Sequence, residues 1–275
     1  MPNRTVFFVS DGTGITAETF GNAILAQFEV HLQRVRLPFT DSIDKAHQAV
    51  RQINRATLID NKPPIVFATL ANDEVLKVIS AVDHCILMDL LGTFVPPLEH
   101  ELGLKIRHPA GRFIDAGKRQ EYQSRMAAIH FSLEHDDGQS HRDLDASDVI
   151  LVGVSRSGKT PTALYLAMQY GLKASNYPLI PEDFERQDLP LVLRDQHKKL
   201  FGLTILPERL SEVRNERRPN SKYASLVNCQ YEVKAAEAMM RRYGIRWLST
   251  TTVSIEVIAT TILQQMCPDR LSYRG

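Results

Sequence analysis

Short apolar runs alternate with longer amphipathic stretches along the first half of the chain. Val6 to Val9 reads as a buried strand, and the apolar spacing over Ala17 to Gln27 predicts a helix after it. Val30 to Leu37 and Ile65 to Leu70 repeat the strand pattern, the latter introduced by Pro63-Pro64, and Cys85 to Leu91 is a further apolar run. Helical spacing occupies Ile43 to Ala56 and Glu74 to Val82 between them. Strands that alternate with helices predict a parallel sheet covered on its faces. A less regular stretch carrying Pro96-Pro97, Arg107-His108-Pro109 and Gly111 follows, then a helix over Lys118 to Glu134.

The alternation restarts at Asp148. Asp148 to Val152, Lys173 to Ile180, Lys199 to Ile205 and Ile245 to Ser249 read as strands. Helical patterns cover Pro161 to Gly171, Pro207 to Arg218, Glu232 to Tyr243, and a terminal stretch ending at Met266 with Ser254 as its N-cap. The polar segment from His135 to Ser147 is the natural break. The expected architecture is therefore α/β: an N-terminal parallel-sheet domain over residues 1–145, then a P-loop kinase-like α/β domain over 146–275. No solenoid-period repeat or low-complexity tract interrupts it.

Composition narrows the partners. The 275 residues are 43% hydrophobic and 24% charged, a soluble globular balance, with 33 basic and 32 acidic side chains. A formal net charge of +1 makes no electrostatic case for nucleic acid or an anionic membrane. The apolar run at the N-terminus is too short for a secretion signal, and no stretch approaches membrane-spanning length. Cys85, Cys229 and Cys267 lack C-x-x-C spacing, which suits reduced thiols in a cytoplasmic protein and offers no zinc site.

Between the fifth strand pattern and its helix stands Gly153-Val154-Ser155-Arg156-Ser157-Gly158-Lys159-Thr160, a complete G-x-x-x-x-G-K-T phosphate loop. Its glycines let the backbone curl so that successive N–H groups face phosphate oxygens. Lys159 reaches the terminal phosphate as an exposed loop side chain, and Thr160 is placed to ligate Mg²⁺. Pro161 sits in the first helical turn, where its missing N–H costs nothing. Arg156, inside the loop, is a further charge for the phosphates.

Three other groups could carry chemistry. Asp11-Gly12-Thr13-Gly14 lies between the first strand and helix, where open α/β sheets place ligand groups; Asp11 could bind Mg²⁺ or accept a proton, although such turns often only cap helices. His135-Asp136-Asp137-Gly138 puts two carboxylates just ahead of the loop, as phosphoryl transfer requires, but Asp-Asp-Gly is equally ordinary turn chemistry. His108 is either a surface histidine or an anion ligand. Arg209, Arg214, Arg217 and Arg218 form a basic helix, either a solvated face or a lid over phosphates.

Taken in order, Ser10-Asp11-Gly12-Thr13-Gly14-Ile15-Thr16-Ala17-Glu18, His135 to Gly138, Gly153 to Thr162, Asn176-Tyr177-Pro178 and Leu200-Phe201-Gly202-Leu203-Thr204 give the chain a recognisable signature. Over essentially its whole length it resembles the bacterial phosphoenolpyruvate synthase regulatory proteins, relatives of the pyruvate, phosphate dikinase regulators. The resemblance implies a bifunctional enzyme with ADP as phosphoryl donor. It phosphorylates a threonine of phosphoenolpyruvate synthase and removes that phosphate with inorganic phosphate, releasing pyrophosphate. The nucleotide site carries over onto Gly153, Val154, Ser155, Arg156, Ser157, Gly158, Lys159 and Thr160. Catalytic roles for Asp11, Asp136 and Asp137 follow from chemistry rather than from the resemblance. Competing readings are the same chemistry on the dikinase, a small-molecule kinase, and a non-catalytic ADP-sensing module. A homodimer is compatible with the sequence, which does not fix the oligomeric state.

Overall fold

Among the described residues every strand lies parallel to its neighbours, in two separate four-stranded sheets. The computed structural model describes residues 4–105, 116–136, 144–186 and 188–270. Asp137, Gly138 and the Arg107-His108-Pro109 segment fall outside them. The chain divides into two compact units, Met1–Phe113 and Ile114–Gly275.

In the first unit, β1 (Arg4–Ser10) is flanked by β2 (Leu32–Leu37) and β3 (Ile65–Thr69), with β4 (Ile86–Asp89) beyond β3. Alternation along β1 separates two apolar layers. Phe7 and Val9 pack with Ala46, Ala49 and Ile53 of α2 (Ile43–Asp60) and with Val75 and Ile79 of α3 (Asp73–Ser80). Val6 and Phe8 pack with Ala17 and Leu25 of α1 (Ile15–Leu25) and Leu90 of α4 (Leu90–Leu102). The fold class expected from the alternation is the one observed.

The stretch read as irregular around Pro96-Pro97 is part of α4. Asp89 starts that helix by accepting the Gly92 N–H at 3.0 Å, and Gly103, at φ 64°, ends it in the left-handed conformation glycine tolerates. The two prolines remove donors inside the helix, and this misdirected the reading.

The second unit begins ahead of the expected break at residue 145. Its helix α5 (Ala116–Glu134) packs on α6 (Lys159–Tyr170), which places α5 with the strands that follow it in sequence. β5 (Val149–Val154) is buried throughout, between β6 (Ala174–Leu179) and β7 (Leu200–Thr204), with β8 (Arg246–Ser249) beyond β7. Val149 and Leu151 face Ala163 and Leu166 of α6 and Ile258, Ile262 and Leu263 of α11 (Ile255–Met266). Ile150, Val152 and Val154 face Val233, Ala236 and Met240 of α10 (Leu226–Arg242), which starts earlier than the Glu232 expected. Two short helices, α7 (Pro181–Arg186) and α8 (Leu191–Arg194), precede β7, and α9 (Pro207–Arg217) follows it. α7 and α8 are too brief to show a period, whereas α9 is the helix expected over Pro207 to Arg218.

Candidate phosphate-binding site

The chain leaves β5 at its carboxyl end, next to β7, and turns through residues 155–158 into α6. The order β6-β5-β7 makes this a switch point, where the chain leaves β5 for β6 on one side and returns to place β7 on the other. Gly153 is required here by close approach: a Cβ would stand 2.2 Å from the Leu203 carbonyl oxygen of β7 and 2.9 Å from Ser157 Oγ. Gly158 is required by conformation, with φ 89°, while a Cβ there would meet nothing closer than 3.6 Å. Arg156 also adopts a left-handed φ of 74°. Gly158 caps α6 without a side-chain bond, so it leaves the helix's first N–H groups to the loop's concave side.

The loop is strapped from several sides. Thr162 Oγ1 donates to the Gly158 carbonyl at 2.8 Å, and Thr250, just after β8, donates to the Ser157 carbonyl at 3.1 Å. Ser155 Oγ and Tyr223 Oη are 2.9 Å apart. Ser157 Oγ is buried with no hydrogen-bond partner. Lys159 is 4% exposed and donates from Nζ to the Val154 carbonyl at 2.9 Å, so the expected exposed lysine is instead folded back under the loop. An ammonium held against the carbonyl ring of such a loop is oriented before any anion arrives.

Asp136 and Thr160 are brought together. Thr160 Oγ1 donates to Asp136 Oδ1 at 2.7 Å, and Asn176 Nδ2 donates to the same oxygen. Asn176, 3% exposed on β6, also gives its backbone N–H to the His135 carbonyl at 3.1 Å. His135 is buried, with Nδ1 2.8 Å from the Phe131 carbonyl and its ring stacked on Phe131 at 4.0 Å. It anchors the end of α5 and so aims the carboxylate that follows. Asn176 was visible in the sequence only as part of a motif; its place opposite the loop comes from strand pairing. Threonine and carboxylate oxygens are the hard donors Mg²⁺ uses alongside phosphate oxygens and water, so Thr160 and Asp136 fit that ion. Among the described residues no cluster of three or more His, Cys, Asp or Glu could hold a metal unaided.

A cavity of about 490 Å³ opens on the loop. Arg156, Lys159 and Thr160 line one side, and Arg217, Arg218 and Tyr223 the other. The basic helix is therefore not uniform. Arg209 pairs with Glu212 at 2.8 Å on the surface, and Arg214 is 0% exposed and paired with Glu232 at 2.6 Å.

Asp11 belongs to the first unit. It accepts the Ala71 N–H at 2.9 Å, tying the end of β1 to the chain leaving β3. Gly14, at φ 78°, caps α1 without a side-chain bond. The three thiols are free, and burial pushes each of them up, Cys85, Cys229 and Cys267 alike, which makes them poor nucleophiles. No helix among the described residues is long and apolar enough to cross a membrane.

Residues 6–263 match the kinase/pyrophosphorylase family, and the chain belongs to it. It is 71% identical over 273 residues, 99% of this chain and 100% of the relative, to the "Putative phosphoenolpyruvate synthase regulatory protein" of Albidiferax ferrireducens. Relatives of the same name from a Polaromonas species and from Variovorax paradoxus are each 69% identical over the same shares.

Proposed function

We propose that this kinase/pyrophosphorylase family member is a cytoplasmic regulator of phosphoenolpyruvate synthase that transfers phosphate in two directions. In one, the β-phosphate of ADP passes to a threonine hydroxyl of the target: the bond from the β-phosphorus to the bridging oxygen breaks, AMP leaves, and the threonine proton goes to a carboxylate. In the other, inorganic phosphate attacks the phosphothreonine phosphorus, the threonine oxygen leaves and takes a proton, and pyrophosphate is released. The observation that carries this reading is the loop at the end of β5, with Lys159 and Thr160 both lining one cavity and Thr160 bonded to Asp136. The names of the full-length relatives supply the target.

The roles of the loop residues follow from their surroundings. The N–H groups of residues 153–160 cradle a diphosphate, and Lys159 and Arg156 neutralise charge that builds on the transferred phosphoryl group and on departing AMP. Thr160 and Asp136 would hold Mg²⁺, which supplies further neutralisation. Asp136 Oδ1 already accepts from Thr160 and Asn176, so proton acceptance falls to Asp137. Pyrophosphate resembles the diphosphate of ADP, and a single cradle serves both directions, with inorganic phosphate in the place of the AMP phosphate.

The test is to incubate the protein with purified phosphoenolpyruvate synthase, charged on its catalytic histidine, and ADP labelled in the β-phosphate. Label is expected on a target threonine with AMP released, and inorganic phosphate should then discharge it as pyrophosphate. Transfer only to pyruvate, phosphate dikinase or to a metabolite would replace the target. Tight ADP binding without any transfer would make the protein a sensor.

A further inference from the structure

Arg214 donates from Nη2 to the Ser155 carbonyl at 3.0 Å and to Glu232 Oε2 at 2.6 Å, and from Nη1 to the Tyr223 carbonyl at 3.0 Å. Its guanidinium carbon lies 4.1 Å from the centre of the Tyr223 ring. Asn228 holds the other Glu232 oxygen at 2.7 Å. Ser155 is consequently gripped twice, by Arg214 on its carbonyl and by Tyr223 on its hydroxyl.

A buried ion pair is seldom more stabilising than well-packed apolar side chains of the same volume, so stability alone is a weak reason for an arginine here. The Ser155 carbonyl supplies a better one. That oxygen belongs to the peptide joining Ser155 to Arg156, and a trans peptide carries its C=O and N–H on opposite sides. Drawing the carbonyl toward Arg214 turns the Arg156 N–H the other way, as an anion-binding loop with N–H groups facing inward requires. The left-handed φ of Arg156 is the conformation that lets the chain make this turn.

We infer that Arg214 is a positioning residue for the phosphate site, acting through Ser155 to aim the Arg156 N–H at the bound anion. The inference rests on the reading of residues 153–160 as that site. The same bonds fix α9 to the loop, so Arg217 and Arg218 stand on a wall of the cavity instead of on a closing lid.

The pair is best removed together, as Arg214→Met with Glu232→Leu, so that no charge is stranded and the fold is kept. Thermal unfolding, amide hydrogen exchange across residues 153–160 and calorimetric titration with pyrophosphate and with ADP are compared with the parent. The double variant should melt near the parent, exchange its loop amides faster, and bind pyrophosphate about tenfold more weakly, as expected for a lost charge-assisted contact. Arg214→Lys keeps the charge but cannot serve two carbonyls and a carboxylate at once, so it should fall between. Tyr223→Phe, which loses only the hydroxyl contact, should also speed exchange. A folded double variant, or a folded Arg214→Lys protein, with parental loop exchange and parental pyrophosphate affinity overturns the inference. A parent that binds neither pyrophosphate nor ADP would instead sink the functional reading, and loop exchange would still judge Arg214.

Discussion

Thr160 donates its hydroxyl hydrogen bond to Asp136 Oδ1 across 2.7 Å, joining the first turn of α6 to a carboxylate two residues beyond α5. Asn176 from β6 donates to the same oxygen, so three elements meet at one carboxylate. The pair's orientation is set before any ligand binds.

Asp136→Asn keeps the shape but replaces a charged oxygen with a neutral one. It is expected to raise the Mg²⁺ concentration for half-maximal transfer by about tenfold or more. Titrating Mg²⁺ at saturating ADP checks this; a curve matching the parent's would take the carboxylate away from the metal.

Lys159→Met should lower transfer by roughly 100-fold or more, since it removes the positive charge where the phosphoryl group moves. Because Lys159 is buried and bonded to Val154, both variants should lose about 1 kcal/mol with the hydrogen bond, and Lys159→Ala should lose more because it also leaves a void that methionine fills. Label incorporation and thermal melts separate the two effects. Near-parental transfer by folded Lys159→Met would remove the loop from the mechanism.

The two glycines fail for different reasons. Gly153→Ala drives a methyl into Leu203 and should cost about 1–3 kcal/mol through overpacking. Gly158→Val has room for its Cβ but must hold a left-handed backbone, at a cost of about 1–2 kcal/mol. Each should disable ADP-dependent transfer and pyrophosphate release together, and ADP should compete with inorganic phosphate. Full pyrophosphate release by a folded Gly158→Val protein that has lost kinase activity would require two sites.

Asp11 and Asp137 can be told apart as bases. Asp11 has one oxygen committed to Ala71, and an asparagine oxygen can accept the same bond. Asp11→Asn should therefore stay folded and keep transfer within about threefold, while Asp137→Asn should lose transfer by about 100-fold or more, in the range of general-base removal. The reverse order would take Asp137 out of the proton step.

The sequence disclosed the elements whose period and boundaries agree. β5, the loop and α6 were legible because an apolar run, a glycine-bearing turn and a helical repeat follow one another without interruption. α4 was hidden by Pro96 and Pro97, since local propensity argued against the helix that Asp89 and Gly103 delimit. Lys159 was located but its burial was not, because the loop's curl decides where its side chain goes. Asn176 and Arg214 needed the fold: one reaches Asp136 from the neighbouring strand, and the other reaches Ser155 over 59 positions of chain. Pairings between distant positions leave no local period to read.

Among the described residues each sheet draws its strands from its own stretch of chain, and no strand of one pairs with a strand of the other. During synthesis, all of the partners β1 needs have emerged once β4 is made, before any of β5 exists. Domains usually fold as units in the order they leave the ribosome, at about 5–20 residues per second. The first unit can thus shield its apolar layers some seconds before the loop of residues 153–160 appears, and a chain stalled between them would present a finished sheet rather than a sticky fragment.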